Sequence, residues 1–447
     1  RLYFKDRRNM RYTHNPEKYE GVRWTSLSLD ERNEFLEASY EECRRLYPQE
    51  FVPDYPTDTE ELRSTLLEDF RFKRTMPVEE YTLWTKWNEI QTKFAWVKPK
   101  VMQQILEIRD NIWRPTSFED FEKLDVEVIS TKESKNLLFV WNTLRTFTST
   151  MPNNQNLGRN LFFIVRDKPT GKYLGVFCVS SDFLDLTCRD EKIGWTREQR
   201  SMEHLINRTY IGSTIVPTQP LGFNFTGGKL LAMLVTSDVV QKAWYEKYGD
   251  FPGGCTTTSL YDKSAGDKPV SQYSGLKPYW KTMGFSNGTV MVDPTPANRK
   301  LVKDWMKVND PWNYWKYNLA LKPGPKGWTG FKDSKTRFII TAFAKKNLNI
   351  DRDEIRSEHR RGVYFCRFYE NTDSYLRNEI SHEELKKNVD FSVDNIVNRW
   401  KNKYASKRFK SLENQDRLNL DESLFYSDML HMDWEEAKEK YLSNVGR

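Results

Sequence analysis

"IVPTQPLGFNFTGGKLLAMLVTS", residues 215–237, reads as a strand end, a loop with three glycines, and the start of an apolar helix. Such a junction is a place where backbone amides can hold phosphate. Gly227 and Gly228 let another group approach the backbone closely. The first-turn amides of the helix lack intrahelical acceptors, and its dipole favours an anion there. Lys229 would add positive charge. Neither common nucleotide motif fits, however. A P-loop needs four residues between its glycines and Ser or Thr after Lys. Here five residues separate Gly222 from Gly228, and Leu230 follows Lys229. The G-x-G-x-x-G spacing of a Rossmann turn is also absent.

The flanking segments set the loop in an α+β context. "NLFFIVRD" (160–167) and "KYLGVFCVSS" (172–181) read as strands joined by the turn "KPTG". "RTYIGSTIV" (208–216) is a third strand, and Gly228–Tyr248 is expected to be a helix with Leu231, Leu234, Val235 and Val239 on one side. "GGCTTTSLY" (253–261) is a fourth strand. "SQYSGLKPYWKTMG" (271–284) reads as a turn and short helix, and "GTVMVD" (288–293) as a further strand. Residues 28–125 look helical, opened by a capping box of Ser28 and Glu31. Beyond 295 the pattern is irregular, with a strand at "GVYFCRFY" (362–369), and 382–445 return to helix.

A chain of 447 residues is long enough for two or three domains. Charged residues make up 30%, which predicts a polar surface, and 15 Trp raise the aromatic share to 14%, useful for cores and for stacking on bases. The net charge of +7 suits a polyanionic partner without demanding one. Five cysteines without paired spacing argue against a disulfide framework, and five isolated histidines argue against a zinc site. There is no apolar run of membrane-spanning length and no signal-peptide pattern. No membrane partner is expected, and the expected compartment is the cytoplasm of a bacterial host.

The order of hairpin, strand, glycine loop with helix, strand, and "YWKTMGF" resembles the GNAT acyltransferase superfamily over residues 160–290. Gln219 and Gly222 match part of its loop motif, Asn224 departs from it, and Trp280 stands where a tyrosine often serves as general acid. The stretch from "DEKIGWTREQR" through "VPTQPLGFNFTGGKLLAMLV", "WYEKYG", "TTTSLYDKS" and "QYSGLKPYWKTMG" is similar to two more families. They are the phage Mom family, which acylates an exocyclic adenine amine in DNA, and the Druantia-type anti-phage protein family. These resemblances imply an α+β fold: a central GNAT-like mixed sheet with flanking helices, plus helical N-terminal and C-terminal regions. The expected divisions are 1–125, 126–295 (the core), 296–380 (an aromatic and basic extension) and 381–447.

The resemblance further implies acetyl-CoA or another acyl-CoA as cofactor. Its diphosphate would meet Thr226, Gly227, Gly228 and Lys229, beside Gln219, Gly222 and Asn224. Its pantetheine would lie between splayed strands at Tyr210–Val216 and Cys255–Leu260, with amides from Ile215 and Val216 to Thr218 near the carbonyl. Acyl transfer to an amine needs a base, oxyanion donors and a proton for the thiolate. Asp182 and Asp185 are candidate bases, and Ser259, Tyr261 and Tyr273 candidate donors.

The implied partner is double-stranded DNA with its target base flipped out. Candidate phosphate and stacking residues are Lys192, Trp195, Arg197, Arg200, Lys326, Trp328, Arg399, Lys401, Lys403, Lys407 and Arg408. Three functions stay open: DNA base acylation, a non-catalytic DNA-binding defence component, and acylation of a small-molecule or protein amine.

Overall fold

The computed structural model describes residues 17–445, apart from 20, 95–96, 154–157, 183–184, 202, 266–267, 271, 292–293, 325–328, 332–342 and 421–423. Lys326 and Trp328 lie outside the described residues. The fold is α+β. Seven strands form one mixed sheet: β1 (Val126–Ser130), β2 (Asn160–Asp167), β3 (Tyr173–Ser181), β4 (Thr209–Pro217), β5 (Gly254–Ser259), β6 (Lys281–Met291) and β7 (Arg356–Arg367). Their order is β1-β2-β3-β4-β5-β7-β6. β1 to β4 are successively antiparallel, β4 and β5 are parallel, and β5 and β7 are antiparallel.

The chain forms two compact units. One comprises Arg1–Met76 with Val290–Glu358, the other Pro77–Thr289 with His359–Arg447. The second holds most of the sheet, which is covered on both faces. Along β3, Val176 and Cys178 join a cluster with Leu83, Ile90, Trp141 and Leu144. The alternate residues Phe177 and Val179 join Tyr210, Leu231, Val235, Trp244 and Trp400. This two-residue alternation between two buried faces explains why β3 is a nearly continuous apolar run.

The expected helix 228–248 is broken. Gly227–Leu234 and Asp238–Tyr248 are separate helices. Between them Ser237 is extended, and the Thr236 hydroxyl donates to Met233 O at 2.7 Å. The Thr236 hydroxyl offers the backbone an alternative hydrogen bond where the first helix ends. Residues 272–275 form only a single 3-10 turn, and the strand expected at 288 already begins at Lys281.

In the first unit, Ser28 and Glu31 form the expected capping box on Leu29–Leu46. Ser28→Ala is expected to cost about 1 kcal/mol of stability in denaturant unfolding followed by circular dichroism. The irregular reading beyond 295 gives way to two helices, Pro296–Asn309 and Pro311–Asn318. Their prolines stand at the first helical position, where no donor is needed, and Thr295 and Asp310 cap them. Asp69 accepts from Thr295 N and Asn298 Nδ2, both at 2.8 Å, and pairs with buried Lys73. No helix among the described residues is long and apolar enough to cross a membrane.

Candidate functional site

β4 and β5 pair only at their starts, through Thr209–Gly254, Tyr210–Cys255 and Ile211–Thr256. Beyond a Thr257 Oγ1 to Gly212 O bond of 3.0 Å their ladder stops, so the strands splay. β4 continues on β3 and β5 on β7. A bulge between Cys178 and Val179 of β3 and Gly212–Thr214 of β4 leaves Ser213 as an extra residue. Ser213 is exposed in mid-strand, its Oγ 2.7 Å from Ser180 Oγ. Ile215 packs against one core cluster, and Val216 is buried in the other. Thr218 is buried, and its N donates to Leu174 O at 2.9 Å.

Several amides of the glycine loop after β4 bond within the protein. Leu221–Phe225 forms a short helix ahead of Gly227–Leu234. The amide of Gly222 donates to Thr218 O, Asn224 to Pro220 O and Lys229 to Thr226 O. Gln219 Oε1 accepts from Phe223 N. Thr226 holds a left-handed backbone at φ 54°. Gly227 is needed for self-packing: a Cβ there would stand 2.8 Å from Leu221 Cγ. Gly228 is buried.

The lid over this loop is a helical rod near the C-terminus, made of Val393–Trp400, a π turn at Lys401–Ala405, and Ser406–Glu413. Trp400 Nε1 donates to Phe225 O at 2.9 Å. Phe409 stacks on Phe225, with ring centres 5.3 Å apart. Asn224 exchanges hydrogen bonds with the Asn419 backbone. These contacts pack the rod and the Asn419 backbone against Asn224 and Phe225 of the loop.

The candidate catalytic groups are dispersed among structural bonds. Asp182 is fully buried, with both oxygens 2.7 Å from Arg189 Nη1 and hydroxyls of Thr209 and Thr256 beside it. Arg189 also binds Asp190. The flanking carboxylates keep its guanidinium charged against the cost of burial, while burial pushes the Asp190 carboxyl up. Asp185 is an exposed carboxylate paired with Arg200. Tyr261 Oη sits 3.1 Å from Thr82 and Thr150 hydroxyls, and burial raises its pKa. Ser259 is half-buried at the end of β5, opposite Gly362. Tyr273 is in the core between Trp280 and Tyr364. Trp280 Nε1 donates to Ala232 O at 2.8 Å, tying the loop after β5 to the glycine-loop helix.

The basic candidates divide into structural and exposed groups. Trp195 is buried and donates to Leu376 O, and Arg200 is buried against Asp185 and Asp190. Lys401 caps Glu122 O and Leu124 O, and Arg399 binds Lys277 O. Lys192, Arg197, Lys403 and Lys407 are exposed. Arg408 lies 5.0 Å over the Phe223 ring, and Lys229 4.9 Å over Tyr404, which also meets Lys403. The Lys229 pKa is lowered by burial, then by Arg408 and Lys403. Arg408 is lowered by burial and by Arg417. Lys229, Lys403, Arg408 and Arg417 thus crowd together around two aromatic faces. An anion placed there would relieve their mutual repulsion. The sequence reading assigned Lys229 to a cofactor and Arg408 to nucleic acid; the fold puts them in one patch.

Among the described residues no group of three or more His, Cys, Asp or Glu is arranged to hold a metal. Comparison with known proteins gives one family. Residues 77–378 match the family described as Druantia protein DruA. A protein of Escherichia coli (strain UMEA 4076-1), named Druantia protein DruA, is 29% identical over 163 residues, covering 32% of this chain and 38% of the relative. The chain therefore spans well under half the length of that relative. No solved structure matches.

Proposed function

Because the chain belongs to the Druantia protein DruA family, we propose that it serves as a component of an anti-phage defence system and acts there by binding DNA, without an acyl-transfer step. The observation that carries the DNA reading is the crowded patch of Lys229, Lys403 and Arg408 around Phe223 and Tyr404. Among the described residues no ion pair joins Lys229, Lys403 or Arg408 to a carboxylate, and cations so placed bind the phosphate backbone in a salt-dependent, sequence-independent way. Aromatic faces among them suit unpaired bases.

A second reading is acyl transfer from an acyl-CoA to a base amine. Two observations favour it: the splayed β4–β5 pair and the bulge at Ser213, which are the setting a pantetheine arm would need. Thr226 Oγ1, buried with no hydrogen-bond partner, adds a polar mark at the loop. Against it stand the rod over the glycine loop and the Arg189 pairing of Asp182.

The two readings separate in solution. We expect DNA affinity that falls steeply as salt rises, read by fluorescence anisotropy. We expect no change in melting temperature with millimolar CoA or acetyl-CoA. A cofactor-induced rise of several degrees would favour acyl transfer, and absence of DNA binding at low salt would remove the first reading.

A further inference from the structure

A cavity of about 670 Å³ lies in the sheet-bearing unit between the Asp238–Tyr248 helix and residues 387–392. That volume is in the range of small-ligand sites. Its walls are aromatic: Tyr245, Phe251, Tyr369 and Phe391. Phe251 meets Tyr245 edge-on at 5.5 Å and Tyr369 at 6.1 Å. Tyr245 is 45% exposed, so much of its ring is open to solvent.

The segment that walls the cavity is anchored at both ends. Glu370 N donates to Lys386 O, and Asp238 N to Phe391 O. Tyr369 and Lys387 form an isolated antiparallel bridge. The cavity is therefore a built feature of the fold.

We propose that this cavity receives an unpaired nucleobase. The proposal rests on the DNA reading above. The aromatic walls supply stacking surfaces. The rim supplies groups that read a base edge: Gln241, whose amide is oriented by Thr236 O, and Asn388. Asp238 and Asp390, each with one oxygen held by a backbone amide, can accept an exocyclic amine. Lys387 brings positive charge for the attached phosphates, as does Lys242, which is exposed and 3.8 Å from Glu246 Oε1.

Position adds a separate argument. Ser392, a lining residue, is the N-cap of the same rod that carries Lys403 and Lys407. At 1.5 Å per residue these lysines stand roughly 16–23 Å farther along it. One strand could lay its backbone on the basic patch and place a base in the cavity.

The test compares the full chain with Tyr245→Ala, whose ring is too exposed for its loss to unfold the protein. Anisotropy is measured on a fully paired duplex and on the same duplex with one unpaired adenine. Wild type is expected to prefer the second by about tenfold, and Tyr245→Ala to bind both as wild type binds the paired one. Equal wild-type affinities, or a preference that survives in the variant, would overturn the proposal. Failure of wild type to bind the paired duplex would instead count against the DNA reading. Saturation-transfer NMR with the four deoxynucleoside monophosphates then decides the cavity alone. Contacts abolished by Tyr245→Ala support it; no contacts, or indole binding in their place, overturn it.

Discussion

Arg189→Ala is expected to destabilise the sheet-bearing unit by about 3–5 kcal/mol, read as a lower urea midpoint at unchanged slope. Arg189 has no exposed side-chain surface, and neither has Asp182. One guanidinium nitrogen meets both Asp182 oxygens, and the others hold Asp190. Removing it strands a buried carboxylate with only the Thr209 and Thr256 hydroxyls. The cost arises from the charge left unpaired, more than from the attraction lost. Asp182→Asn should therefore cost less, because the amide keeps hydrogen bonds to both threonines. Arg189→Met combined with Asp182→Leu should recover much of the loss. Stability within 1 kcal/mol of wild type for Arg189→Ala would mean that Asp182 is not held as described, and would reopen its role as a base.

The second large effect is on DNA. Lys229→Glu, Lys403→Glu and Lys407→Glu together are expected to weaken binding roughly 100-fold at moderate salt and to reduce the salt slope by about 3. Lys403 and Lys407 are exposed and Lys229 is half-buried, so the melting temperature should barely move. The control is Lys192→Glu with Arg197→Glu, equally exposed but on a different segment. If the control loses as much affinity as the triple variant, the patch is not the interface, and general charge explains the binding.

Strands were legible in the sequence because β2 and β3 carry long apolar runs and β4 is rich in β-branched and aromatic residues, and the Ser28–Glu31 box marks its helix directly. The helices after 295 were not, because Pro296 and Pro311 look like breakers until their first-turn position is known. The site was harder. Asp182 looks the same in sequence whether it titrates freely or faces Arg189, and only the fold brings β3, the Thr187–Ile193 helix and β5 to one point. The glycine loop holds a short helix, Leu221–Phe225, and Trp400, more than 170 residues away, donates to its Phe225 carbonyl. The aromatic cavity draws on residues 238–252, 368–369 and 387–392, with no local pattern to join them.

The unit built from Arg1–Met76 and Val290–Glu358 has a consequence for biosynthesis. Two of its helices, Leu29–Leu46 and Thr59–Thr75, leave the ribosome more than 200 residues before their packing partners Pro311–Asn318 and Pro296–Asn309. At about 5–20 residues per second that is a wait of roughly 10–50 seconds with apolar faces uncovered. The yield of the chain in a heterologous host is therefore expected to depend on translation speed and on chaperones that shield exposed apolar faces.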